Sequence, residues 1–324
     1  MAMQNTVERP LKIAVDDPRS LGEGAVWDPV LNKLLWIDIN RGKIFVYDET
    51  DETNLHIDLR QSIGTVVPYT EKYLVAAVAK GVCIVDIQKK CIVQGFENGN
   101  PESAIINNRF NDGKCDPQGR LWVGSMDVNC NGAVGSLYSF EVDEADANRL
   151  VCKKQLGNVG VSNGIVWTGD GKLMYYIDTM TQKLDAFDFD GSTGSITNRR
   201  CVYNFDKDSN DGNFLGYPDG MTIDSNDTLW IAMWDGWCVY NVDPVQKVIV
   251  AKYDIPCQRV TSCAFGGKNL DQLYVTSANC GLRLDVGEEK WLREQKDAGK
   301  LFVLDFHGTS VKGVKASRFK FGLS

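Results

Sequence analysis

One pattern returns six times along the 324-residue chain, and it limits the possible folds more than any other feature. Each copy has a short strand, a tight turn, a second strand rich in Leu, Val, Ile, Trp and Tyr, a loop, and a third strand ending in aspartate. The second strands are Lys33–Asp38, Tyr73–Val78, Arg120–Gly124, Lys172–Asp178, Thr228–Ala232 and Gln272–Thr276. The third strands are Lys43–Asp48, Gly81–Asp86, Ser136–Asp143, Lys183–Asp190, Cys238–Asp243 and Lys300–Asp305. Turns such as Asp28-Pro29, Asp116–Gly119, Gly169–Gly171 and Asp224–Asp227 separate the first two strands of a copy. The copies recur at roughly 40 to 55 residues, the period of propeller blades. No long stretch carries the 3.6-residue apolar period of a helix. A single sheet of this kind would expose two apolar faces, whereas blades packed around an axis cover them and leave only short edges. The chain is therefore expected to be all-β: a six-bladed β-propeller with a central metal-binding channel, forming one domain over residues 1–324. Leu11–Val15, which matches none of the six cores, is expected to complete the last blade. A pair of β-sandwiches is the competing architecture, and it leaves the sixfold recurrence unexplained.

Superposing the first strand of each copy shows what the repeat places on the axis. The segments are Gly22–Val26, Ser62–Val66, Asn111–Lys114, Ser162–Val166, Pro218–Thr222 and Val260–Ala264. In five of them a residue stands immediately before a glycine: Glu23, Ile63, Asp112, Asn163 and Asp219, with Thr261 in the sixth slot. Equivalent positions of successive blades ring the channel, so four oxygen-bearing side chains from four blades would converge. Carboxylates brought together raise one another's pKa unless a cation neutralises them. Oxygen donors without Cys or His suit Ca²⁺, Mg²⁺ or Mn²⁺ better than a structural zinc. The flanking glycines let backbones approach closely and admit unusual φ. An isolated Asp-Gly or Asn-Gly is an ordinary turn dipeptide; four in register are not. Just upstream of Asp112, Arg109 and Asn111 are expected on a loop at the channel mouth, where an arginine fork and an amide suit hydroxyl or carbonyl oxygens.

Composition narrows the remaining chemistry. There are two histidines, His56 and His307, so a His-rich zinc site cannot be built, and both read as strand-edge residues without a catalytic role. The ten cysteines are scattered with no C-x-x-C pair and read as buried, reduced thiols. A net charge of −8 argues against nucleic acid as a partner. With no apolar run of membrane-spanning length and no signal-peptide h-region, no membrane partner is expected and the location is expected to be cytoplasmic.

At Asn107–Lys114 with Asp116-Pro117 and Gly119-Arg120, then Ser162-Asn163-Gly164, Tyr175–Asp178, Asp185–Asp188, Asn198–Arg200, Pro218–Gly220, Thr261–Cys263 and Asp297–Gly299, the sequence resembles the regucalcin family, which includes gluconolactonases and luciferin-regenerating enzymes. The resemblance runs almost end to end. It implies a six-bladed propeller holding one divalent cation, Ca²⁺ first, with Zn²⁺, Mn²⁺ and Mg²⁺ as alternatives, and hydrolysis of a sugar lactone as the small-molecule substrate. The family's metal ligands fall on Glu23, Asn163 and Asp219, and its substrate-binding Arg and Asn on Arg109 and Asn111. Its substrate-contacting Glu falls near Asn129, with Asp127 as a stand-in. The loop Asp127–Val134 is shorter than in regucalcin and Asp208–Tyr217 is longer. The expected enzyme is a metal-dependent lactonase in which Asp219 is the first choice of base, Asp112 the second, and Arg109 and Asn111 orient the sugar. Rival readings are a calcium-binding regulator without essential catalysis and a metal-dependent organophosphate hydrolase.

Overall fold

A computed structural model describes residues 6–206, 214–280 and 295–320. It contains six four-stranded antiparallel sheets, the blades of a six-bladed β-propeller. The innermost strands are Gly22–Asp28, Ile63–Pro68, Asn108–Cys115, Ser162–Trp167, Tyr217–Ile223 and Val260–Gly266. These inner strands pack against one another around the axis. The sixth blade takes its outer strand from the start of the chain: Leu11, Lys12 and Ile13 pair with Leu304, Val303 and Phe302, closing the ring as expected.

The second and third strands lie almost where the repeat predicts them. The outer strands of blades 1 to 5 (Thr53–Asp58, Cys91–Gly95, Asp146–Val159, Ser195–Asn204 and Val248–Asp254) are new to the structure. They lack a regular apolar signature because solvent covers much of each, as in Cys91–Gly95, where no residue is buried. His56 is exposed on the outer strand of blade 1.

The aspartate ending each third strand folds the turn that follows. Asp48, Asp86, Asp143, Asp190, Asp243 and Asp305 each accept the backbone N–H two residues on, at 2.8–2.9 Å. These are Asx turns, and they give six of the chain's aspartates a structural purpose. Two turns between first and second strands carry a further tie: Trp122 and Trp230 donate their indole N–H to Asp116 and Asp224, each at 3.1 Å. Buried tryptophans need such a partner, and the aspartates supply it from the same end of each blade.

After the last blade the chain crosses that same end of the propeller. Gly313 N–H donates to Leu270 O of blade 6 at 2.8 Å, and Ser225 N–H of blade 5 donates to Lys312 O at 2.8 Å. Arg318 pairs with Asp28 of blade 1 at 2.8 Å. Phe319 N–H reaches Pro68 O of blade 2 at 2.8 Å, and Lys320 N–H reaches Gly119 O of blade 3 at 3.0 Å. Residues 314–317 of this strap cover a cavity of about 320 Å³, lined among others by Val26, Val67, Lys114, Val166, Thr222 and Phe265.

All ten cysteines are free thiols. Cys83, Cys115, Cys238, Cys257 and Cys263 are buried as expected, but Cys91, Cys130 and Cys201 are exposed, the last two in a loop and on an outer strand. His307 lies after the third strand of blade 6, its Nδ1 2.5 Å from Asp305 and its Nε2 3.3 Å from Asp271. Among the described residues, no helix is long and apolar enough to cross a membrane.

Candidate functional site

Every inner strand breaks register once, and always at the slot singled out by the repeat. The irregularities fall between Glu23 and Val26, Ile63 and Thr65, Phe110 and Gly113, Ser162 and Ile165, Pro218 and Met221, and Val260 and Ser262. A bulge leaves a residue out of the ladder and re-aims its side chain, which is how a strand can present a polar group at a packed axis. Glycines stand at five of the six bulges; the sixth, at Thr261-Ser262, forms without one. Gly24 has φ +60°, and a Cβ on Gly164 would sit 2.6 Å from Met221 Cβ and 2.8 Å from Asp219 O. Only Gly24 needs the left-handed backbone; close approach of neighbouring blades explains Gly164.

Glu23, Asp112, Asn163 and Asp219 are all buried, between 4% and 6% exposed. Loss of hydration pushes the Glu23 carboxyl up to about 8, reinforced by the charge of Asp112 and opposed by the Gly24 N–H and Arg109. Burial likewise raises Asp219 well above the usual carboxylate range, with Glu23 and then Asp112 adding repulsion and Arg109 opposing it. Asp112 is raised by burial too, against the pull of Lys114 and the Gly113 N–H. The three acids therefore share one field, with Arg109 acting on Glu23 and Asp219, and Lys114 acting on Asp112. Asp112 Oδ1 accepts Gly113 N–H at 2.8 Å, while its Oδ2 is buried without a hydrogen-bond partner. Lys114 Nζ donates to Met221 O of blade 5.

A chain of hydrogen bonds runs across three blades beside these acids. Arg109 Nη1 donates to Asn111 Oδ1 at 2.5 Å and to Phe110 O at 3.0 Å. Asn111 Nδ2 donates to Ser162 O at 2.8 Å and to Asn163 Oδ1 at 3.0 Å. Asn163 Nδ2 donates to Thr179 Oγ1 at 2.7 Å, and Thr179 Oγ1 donates to Pro218 O at 2.7 Å, next to Asp219. The Asn163 amide is thus held by its nitrogen, and its oxygen keeps a free lone pair. Thr179 was not among the candidates drawn from the sequence. It belongs to a one-turn 3₁₀ segment, Thr179–Thr181, whose cap Asp178 accepts Met180 N–H. The only sequence signal was its place directly after the second strand of blade 4, a phase of the repeat that a comparison of inner strands does not sample.

Two expectations change. Arg109 and Asn111 lie within the inner strand of blade 3, not on a loop, because strand pairing begins at Asn108 with Asp127. Asn111 is 5% exposed and both its amide hydrogens are committed to the protein. Asp127, also buried, spends Oδ1 on the N–H groups of Asn129 at 2.8 Å and Asn131 at 3.3 Å, shaping its own loop, whereas Asn129 is exposed. Of the segment Asp208–Tyr217, residues 208–213 lie outside the described residues.

The donor set is oxygen only: the carboxylates of Glu23 and Asp219 and the amide oxygen of Asn163. Among the described residues, no group of three or more His, Cys, Asp and Glu side chains forms a ligating cluster. Two carboxylates and an amide fall outside that description. They fit a hard divalent cation on chemical grounds, since such an ion lets both buried carboxyls ionise together.

Comparison with known proteins follows the geometry. The family described as "SMP-30/Gluconolactonase/LRE-like region" matches residues 21–279. The chain belongs to this family. It is 35% identical to human (Homo sapiens) regucalcin over 298 residues, covering 90% of this chain and 92% of the relative. It is 33% identical over 290 residues to the protein of Bacillus subtilis (strain 168) named "Putative sugar lactone lactonase YvrE", covering 90% of this chain and 92% of that protein. A solved structure of luciferin-regenerating enzyme matches with a TM-score of 0.85 and 29% identity, over 97% of this chain and all of that one. Membership of a family that includes gluconolactonases supports sugar lactone hydrolysis at the family level.

Proposed function

We propose that the protein is a metal-dependent lactonase that opens a sugar lactone to its hydroxy acid, using Glu23, Asn163 and Asp219 to hold one divalent cation, calcium first. The observation that carries this reading is the burial of Glu23 and Asp219 in one field beside an amide fixed by Thr179. When bound, the cation would supply Lewis acidity to the lactone carbonyl and acidify a nearby water. Asp219, whose carboxyl burial and the neighbouring Glu23 hold above the usual carboxylate range, takes the proton from the attacking water. The hydroxyl adds to the carbonyl carbon, the acyl C–O bond breaks, and the proton passes to the ring oxygen as it leaves. Arg109, held by Asn111 and Phe110 O, steadies the oxygen that gains charge. Asn111 serves by holding Asn163 and Arg109 in place, since its amide hydrogens go to Ser162 O and Asn163 Oδ1 and its oxygen accepts from Arg109. The decisive assay is hydrolysis of a panel of aldonolactones before and after EDTA, with calcium restored. Turnover should vanish and return; turnover indifferent to EDTA overturns the proposal, and calcium binding without any turnover supports the non-catalytic regulator instead.

Thr179 acts at one remove, as a positioning residue. Thr179→Val should weaken calcium binding about ten- to a hundredfold, as loss of an outer partner of a metal ligand commonly does. Thr179→Ser should restore it. Calorimetric titration with calcium checks both, and equal affinity in the valine variant removes the role.

The raised carboxyls give a pH signature. Glu23 keeps its proton in the folded metal-free protein between its ordinary 4.5 and about 8, whereas the unfolded chain has already released it. The native state then binds more protons, so its stability falls as pH rises through that window. Calcium reverses the trend by favouring the ionised pair. The difference in Tm between calcium-loaded and EDTA-treated protein should therefore widen from about pH 5.5 to about pH 8. Differential scanning calorimetry at the two pH values checks it; a constant difference means that no proton leaves when calcium binds.

A further inference from the structure

The cavity beneath the strap differs from the acidic ring in both charge and lining. Aliphatic and aromatic side chains form most of its wall, Val26, Val67, Val166 and Phe265 among them, with Lys114 inside and Lys315 on the strap itself. Among the described residues no aspartate or glutamate lines it, although acids outnumber Lys and Arg by 43 to 35 in the chain. A positive charge among hydrocarbon walls selects an anion over a cation or a neutral polar molecule. Its volume of about 320 Å³ is at the small end of the range for ligand pockets.

Lys114 comes from the inner strand of blade 3 and donates to Met221 O on blade 5, with blade 4 standing between them. Its side chain therefore reaches across the axis, between the polar ring and the strap. An ammonium has three donors, and this one spends a single hydrogen on the protein. Asp112, two residues away, takes neither of the others: its Oδ1 accepts Gly113 N–H and its Oδ2 has no hydrogen-bond partner. Loss of hydration lowers the pKa of Lys114, and the charge of Asp112 opposes that only in part, so an anion seated against the ammonium would favour its charged form. Thr222, next to Met221, also lines the cavity, and its hydroxyl makes no hydrogen bond among the described residues. Lys114 and Thr222 stay partly accessible while their strand neighbours Gly113, Cys115, Met221 and Ile223 are buried, so both side chains open onto the cavity. The cover is tied at Gly313 and again at Arg318 and Phe319, but residues 314–317 make no backbone hydrogen bond among the described residues. A small ligand can thus enter beneath them without breaking a blade.

We propose that this cavity is a second binding site, separate from the polar ring, for a small monocarboxylate with a compact apolar body, the carboxylate on Lys114 and Thr222 and the body against Val26, Val67, Val166 and Phe265. It does not rest on the lactonase reading. The hydroxy acid released by that reaction also carries a carboxylate, but here its hydroxyls would be buried against hydrocarbon without partners. The test is calorimetric titration of the full chain with benzoate, in EDTA so that no cation recruits the carboxylate. One benzoate should bind per chain with a Kd of about 1 mM or below. Benzyl alcohol has a similar shape without the charge, acetate the charge without the body, and gluconate the charge with a hydroxylated body. Each should bind at least about tenfold more weakly than benzoate. Lys114→Met should weaken benzoate about tenfold or more, and Thr222→Val about three- to tenfold. Lys89→Met, on an exposed turn of blade 2, should change nothing. Thr222→Val keeps the shape of the side chain, so it reads the site even where the lysine variant fails to fold. Benzoate bound no more tightly than benzyl alcohol or gluconate, or bound equally well by the Lys114 and Thr222 variants, overturns the proposal.

Discussion

Replacing Asp219 by asparagine should lower lactone turnover by about 10³-fold, because the change removes both the base and one of two carboxylates that would hold the cation. The same substitution should not destabilise the metal-free protein. Asp219 is buried beside Glu23 and its charge is disfavoured first by lost hydration and then by that neighbour. An uncharged amide of nearly the same shape relieves both penalties, so the Tm in EDTA should hold or rise. The rise in Tm that calcium gives the parent protein should disappear. Activity and stability thus move in opposite directions, which a residue of merely structural importance cannot produce. Steady-state kinetics with an aldonolactone, paired with calorimetry with and without calcium, reads both. Retained turnover removes Asp219 from the mechanism, and a large fall in metal-free Tm means that its carboxylate has a stabilising partner.

Phe319→Ala should be strongly destabilising although the residue lies outside the blades. Phe319 lies in the strap after the last blade yet is only 2% exposed. It packs edge-on against Tyr69 with centroids 5.9 Å apart, and within 6.4 Å of Phe96. Its neighbour Arg318 is tied to Asp28, and its own N–H to Pro68 O, so the ring anchors a segment that reaches blades 1, 2 and 3. Truncating a buried phenylalanine costs about 3–5 kcal/mol, the lost transfer energy plus the cavity left behind. For a protein of this size that corresponds to a fall in Tm on the order of 10 °C. Thermal unfolding followed by circular dichroism checks it. A shift within experimental error would mean that the strap lies on the propeller without stabilising it.

The blades were legible because their signal is local. Alternating apolar strands, Asx turns and a buried aromatic on the second strand repeat in sequence, and each follows from backbone geometry that needs no distant partner. The outer strands were harder to read, since a strand that solvent half covers need not be apolar. The recurring residue-glycine step picked out Glu23, Asp112, Asn163 and Asp219, which the structure buries on four inner strands, because the repeat fixes their phase. It could not foresee that Asn111 and Asp127 spend hydrogen-bonding groups on the protein itself, as these partners come from Ser162, Asn163 and the loop to Asn131.

From the residues alone came the fold, the closure by Leu11–Val15 and the set of polar groups at the hub, all consequences of periodicity and of the need to cover apolar sheet faces. Only the folded chain decided which groups face one another: Thr179 against Asn163, Lys114 against Met221, and Phe319 against Tyr69 and Phe96. The last two pairings join residues on different blades or in the strap, and the first joins neighbouring strand ends of blade 4, so their geometry depends on how strands and sheets pack around the axis.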